Sequence, residues 1–152
     1  MGVAGNLTAA AFKMKLSKNF NRLILRNCRI ESIERNQNSL DIVFDHAKLD
    51  NLSEENISSP VVLGRTTLKI HSPFNEILKV FYADHQYKVI HLTSEAAQSW
   101  IKIEHTDINE EKQTLAFSGD YLLDGKKGWA EFSIQFGNCE LEFETCKPFT
   151  ED

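Results

Sequence analysis

Between residues 114 and 146, apolar and polar side chains alternate with a period of two. Ala130, Phe132, Ile134 and Phe136 share one parity, with Glu131, Ser133 and Gln135 on the other. Cys139, Leu141, Phe143 and Thr145 alternate in the same way with Glu140, Glu142, Glu144 and Cys146. Successive strand side chains point to opposite faces, so this period predicts half-buried strands. Gly137-Asn138 lies between the two runs and suits a two-residue hairpin, because Gly and Asn tolerate positive φ. That hairpin sets Phe132 opposite Phe143 and Glu131 opposite Glu144. The run before it holds Leu115, Phe117, Gly119, Tyr121 and Leu123 on one parity. A four-residue loop over 124–127 pairs Tyr121 with Ala130 and Asp120 with Glu131.

The rest of the chain continues the pattern. Residues 7–19 form a short helix capped by Thr8, or a leader that pairs with a partner, which leaves 20–152 as one antiparallel β domain. Residues 20–35 are strand-like, and a parity change at Asn27-Cys28 implies a bulge or bend. Asn36-Gln37-Asn38-Ser39 is a turn cluster, and 40–45 returns with Leu40, Ile42 and Phe44 inward. Ser53-Glu54-Glu55 suits one helical turn. Residues 61–71 form a strand with Gly64 at a bulge. Residues 73–83 fit a helix through Phe74, Ile77, Leu78 and Phe81, and a strand through Leu78, Val80 and Tyr82; the β-branched and aromatic content favours the strand. Strand 87–92, a hydroxyl-capped helix over 93–99 and strand 100–105 follow. The fold class is therefore mostly β: an antiparallel β-sandwich or partly closed barrel with one to three short helices.

Charge changes the picture at one place. The predicted register lines up Asp120, Glu131 and Glu144 across three strands, with Glu142 adjacent and with Trp100 and Trp129 at the border. Like charges directly opposite are destabilising, so four readings compete: a solvated, lysine-neutralised face, a basic protein partner, a divalent cation, or a register other than the one inferred from the loops. Calcium or magnesium would suit the carboxylates, but no loop with their ligand spacing is present. The readings are no metal, no cofactor, and a partner-binding face made of Trp100, Asp120, Trp129, Glu131, Glu142 and Glu144.

Composition sets the remaining bounds. The 152 residues suit one domain, and 22 Asp and Glu against 17 Lys and Arg give a net charge of −5, which disfavours nucleic acid as partner. No apolar run is long enough for a membrane span. Cys28, Cys139 and Cys146 have no metal-finger spacing, and their odd number suits the reducing cytoplasm. The five histidines match no catalytic motif; Asp45-His46 is at most an orienting pair, and His71 and His91 are candidate neighbours on adjacent strands. The leading expectation is a small, acidic, cytoplasmic, non-enzymatic interaction domain binding a basic protein, of which an immunity or antitoxin-like inhibitor is one concrete form. The alternatives are a β-barrel holding a small apolar ligand among its Phe and Tyr side chains, and a subunit that forms homo-oligomers by strand pairing.

Overall fold

The computed structural model describes residues 14–17, 22–50 and 60–148. Fourteen strands and one short helix lie among them. The strands are β1 (Met14–Leu16), β2 (Leu23–Ile24), β3 (Ile30–Asn36), β4 (Ser39–Phe44), β5 (Ala47–Leu49), β6 (Val61–Leu63) and β7 (Thr66–His71), followed by β8 (Phe74–Phe81), β9 (Tyr87–Ile90), β10 (Trp100–Asn109), β11 (Thr114–Leu123), β12 (Lys126–Gln135), β13 (Asn138–Phe143) and β14 (Cys146–Pro148). Helix α1 (Ser94–Gln98) sits between β9 and β10, and its N-cap Thr93 accepts a hydrogen bond from the Ala96 amide. The strand reading of 73–83 holds, as does the capped helix.

The strands form three antiparallel sheets and no closed barrel, an arrangement consistent with a sandwich. The front sheet runs β1-β13-β7-β4-β3, the back sheet β10-β11-β12-β8-β9 and the corner sheet β14-β6-β5-β2. The corner sheet is the front sheet continued. Each of its strands leads within a few residues into the corresponding front strand, in the same lateral order, and the breaks fall at 25–29, 45–46, 64–65 and 144–145. One sheet is thus folded along a shared crease. Backbone bonds cross it: the Gly64 amide donates to Thr145 O at 3.0 Å, and the Asp45 amide to Arg29 O at 3.0 Å. Asn27, at φ 70°, supplies the sharp bend predicted near Asn27-Cys28.

The front and back sheets bury their alternating apolar faces against each other. Phe44 of β4 meets Phe117 of β11 edge-on at 5.9 Å, and Phe117 packs on Phe132 at 5.0 Å and on Trp100 at 5.2 Å. The inward parities of 40–44, 115–123, 130–136 and 139–143 follow the sequence pattern.

Two expectations about strand pairing and one about secondary structure are corrected. Gly137-Asn138 does not close a hairpin: β12 belongs to the back sheet and β13 to the front sheet, and the chain crosses between them at Phe136-Gly137. The other crossing, at Ser72-Pro73, runs alongside, and the Gly137 amide donates to His71 O at 3.0 Å. The loop between β11 and β12 is only Asp124-Gly125, both at positive φ (48° and 81°), so Tyr121 pairs with Gly128 and Phe117 with Phe132. The third concerns Met14–Leu16, which is a strand on β13 instead of helix. The remainder of the 7–19 segment and the predicted turn at 53–55 lie outside the described residues.

Candidate functional site

Of the six residues assigned to one acidic face, the back sheet brings three together. Asp120, Trp129 and Glu131 project from its outer side, but in adjacent rows. Asp120 stands opposite Trp129 and Glu131 opposite Ser118, because the two-residue loop shifts the register by two. Trp100 is a correction. It is 1 % exposed and packs on Phe117 and Tyr121, so it belongs to the core. A register irregularity in β10 between Trp100 and Lys102 reverses the parity that strict alternation from Ile103 assigns it. Among the described residues its Nε1 is buried without a hydrogen-bond partner.

Glu142 and Glu144 also leave the row, since β13 lies in the front sheet. There the charges are neutralised across strands. Glu142 is 5 % exposed and lies 3.4 Å from Lys15 Nζ and 3.5 Å from Lys69 Nζ. Lys69 stands between Glu140 and Asp41 in the register, and His71 Nε2 contacts Glu140 at 3.0 Å. Glu144 sits half-buried at the crease. The outer front face is therefore the lysine-balanced polar surface that was one of the readings of the acidic row.

The outer back face is different in kind. Its rows read Lys102–Asp120–Trp129–Phe81–Tyr87, then His105–Ser118–Glu131–Lys79–Val89, then Asp107–Ala116–Ser133–Ile77. Large apolar groups stand open on it: Val89 is 60 % exposed, Tyr87 52 % and Ile77 40 %. Small residues, Ala116, Ser118 and Ser133, occupy its middle and leave a mostly apolar trough of about 270 Å³ bounded by Ile77, His105, Asp107 and Glu131. A second depression of about 570 Å³ adjoins it between Phe81, His85 and Trp129.

The electrostatics of this face are uneven. Asp120 is held by Lys127 at 3.4 Å, and Glu104 by Lys102 at 3.3 Å. The Lys79 ammonium lies over the Tyr87 ring, 5.0 Å from its centre. Among the described residues, Asp107 and Glu131 have no cation at ion-pair distance, although both border the trough. Sequence reasoning missed Ile77, Val89, His105 and Asp107. Their outward positions depend on which strands are neighbours, and alternation alone does not give strand order.

The histidines fall into no catalytic group. His71 and the segment carrying His91 lie on different sheets, which removes that expected neighbourhood. Asp45 does orient His46, with Oδ1 2.9 Å from Nδ1, and Cys28 stands close to both. As a nucleophile Cys28 is unsuited: burial, then the Asp45 carboxylate, pushes its thiol up to about 12, whereas an activated cysteine is held low. Among the described residues no helix is long and apolar enough to cross a membrane. No known protein family, curated protein or solved structure matches the chain.

Proposed function

We propose that this chain is a non-catalytic interaction domain that binds an extended segment of a partner protein along the outer face of the back sheet. The segment it fits combines apolar side chains with a lysine or arginine. One observation carries this reading: an open apolar trough is bordered by two carboxylates, Asp107 and Glu131, that have no cation at ion-pair distance among the described residues. Apolar side chains entering the trough would lose water-exposed area against Ile77 and Ala116. A cationic side chain would supply the counter-charge that Glu131 and Asp107 lack, and electrostatic complementarity fixes the direction and register of a bound segment. Trp129 and Tyr87 offer broad, stiff contact surfaces of the kind enriched in binding hot spots. The expected basic partner is thus kept, with its contact surface moved from the six-residue row to this trough.

The interior-ligand alternative has less to stand on, because Phe44, Trp100, Phe117 and Phe132 pack ring on ring where a ligand would sit.

The test is selection of peptides from a random display library on the full chain, followed by affinity measurements on variants. Selected peptides are expected to carry a basic residue beside apolar ones. Ile77→Asp and Glu131→Lys should each weaken them about tenfold or more, roughly 1.4 kcal/mol per tenfold. Glu140→Lys, on the front sheet, should leave affinity unchanged. Peptides without a basic residue, or affinities indifferent to both back-face variants, would overturn the proposal.

A further inference from the structure

Cys28, Asp45 and His46 meet at the crease, each offering one donor atom, and these atoms lie within 4.8 Å of one another. Among the described residues no other group of three His, Cys, Asp or Glu side chains gathers so closely. We propose that the three form a binding site for a zinc-class divalent cation, which clips the segment before β3 to the bend between β4 and β5.

The chemistry of the donors selects the ion. A thiolate, an imidazole and a carboxylate suit zinc or cobalt, whereas calcium and magnesium take oxygen. Three protein ligands with one position left for water are a common zinc arrangement. Bond lengths of ~2.0–2.3 Å put tetrahedral ligand atoms roughly 3.3–3.7 Å apart; ion binding therefore draws the thiol inward and replaces the 2.9 Å hydrogen bond between Asp45 Oδ1 and His46 Nδ1 with two bonds to the ion. The charges also balance. Binding releases the Cys28 thiol proton to solvent, and thiolate and carboxylate then offset the two positive charges while the imidazole stays neutral.

The backbone holds the donors in place before any ion arrives. The Cys28 amide donates to Leu25 O at 2.9 Å, and its carbonyl accepts from the Ile103 amide at 2.9 Å. The Arg29 amide donates to Asp45 Oδ1 at 3.0 Å, while the Asp45 amide donates back to Arg29 O. Cys28 is fully buried, whereas the Asp45 and His46 side chains are each about a third exposed (34 %). The ion would enter from the Asp45–His46 side and leave its open position facing solvent. The sequence expectation of no metal rested on loop motifs and cysteine spacing, and neither senses a site assembled from one cysteine and a distant Asp-His pair.

The test is a cobalt(II) titration of the tag-free, chelator-treated full chain, followed by absorbance. The expected result is one ion per chain, a thiolate-to-cobalt charge-transfer band in the near ultraviolet, and displacement by zinc. His46→Gln and Asp45→Asn, which alter partly exposed side chains, should keep the circular dichroism of the fold and weaken binding at least tenfold; Cys28→Ser should abolish the band, and Cys146→Ser should leave it intact. Absence of the band in the wild type would overturn the proposal. So would a band that survives both His46→Gln and Asp45→Asn, or one lost with Cys146.

Discussion

Trp100 and Trp129 lie two strands apart on the back sheet and differ in what surrounds them. Trp100 is enclosed by Phe117 and Tyr121, while Trp129 stands on the outer face with His105 6.1 Å from its ring. Trp100→Ala is therefore expected to cost about 3–5 kcal/mol of stability, the usual range for emptying a large aromatic site. Trp129→Ala should cost less than about 1 kcal/mol and act instead on peptide affinity. Denaturant unfolding of both variants checks the contrast. Asp41 gives a second prediction, in pH. Burial raises its pKa, Lys69 works against the rise, and Glu34 adds to it. A folded-state pKa above the unfolded one means that the folded chain holds the proton more tightly. The ionised group therefore lowers stability at neutral pH, and this loss disappears as pH falls through the folded value. Asp41→Asn should raise Tm at pH 7, with the advantage shrinking as the pH is taken below the Asp41 pKa; thermal melts over a pH series measure it. Alternation assigned Asp41 and Trp129 to outward parities, but it placed Trp100 on the wrong face. The irregular pairing of β10 lies against Gly119, where a Cβ would collide with the Lys102 carbonyl oxygen and lie 2.8 Å from the Ile103 Cα. No local pattern around Trp100 records that approach.

At the scale of the element, Gly119 and Gly125 have different duties. Gly119→Ala forces backbone out of place between β10 and β11 and should cost more than about 2 kcal/mol. Gly125 has open space around it but sits at φ 81°, so Gly125→Ala should cost roughly 1–2 kcal/mol through backbone strain alone. Equilibrium unfolding separates the two, because only Gly119→Ala should also disturb the amide resonances of Lys102 and Ile103. The turns show how much of the strand layout was readable. Asp124-Gly125 is a two-residue hairpin signal, yet the polar Lys126-Lys127 that follows invites a longer loop, and the pairing slips by two residues. Side chains repeat every two residues, so that slip leaves every residue on its correct face. Gly137-Asn138 misleads further. A tight hairpin and a strand crossing from one sheet to the other both use Gly, and both keep Phe136 and Cys139 buried. The alternation is the same in either case, and only the partner strands differ.

For the whole molecule, the creased front sheet and the back sheet divide the described surface into two kinds of face. On the front, carboxylates stand among lysines from neighbouring strands, and Glu142 is almost enclosed by Lys15 and Lys69. Glu142→Ala should cost about 1–3 kcal/mol, between the limits for exposed and buried pairs, because both lysines keep much of their contact with water. Thermal unfolding at low and high salt checks this, and the cost should fall with salt. On the back, Asp107 and Glu131 stand beside open apolar groups with no cation at ion-pair distance among the described residues. Mostly β and antiparallel was legible from periodicity, which left a sandwich and a partly closed barrel both open. Which carboxylates are neutralised was not, because that depends on strand order, and strand order here is set by two crossings and a crease. The most direct test of the binding face is an amide proton–nitrogen spectrum of the full chain with and without a selected basic-apolar peptide. The account predicts shift changes confined to β8, β9, β10, β11 and β12 around Ile77, Tyr87, His105, Ala116, Trp129 and Glu131. Changes centred instead on Asp41, Thr67, Lys69 and Glu140 of the front sheet would contradict it.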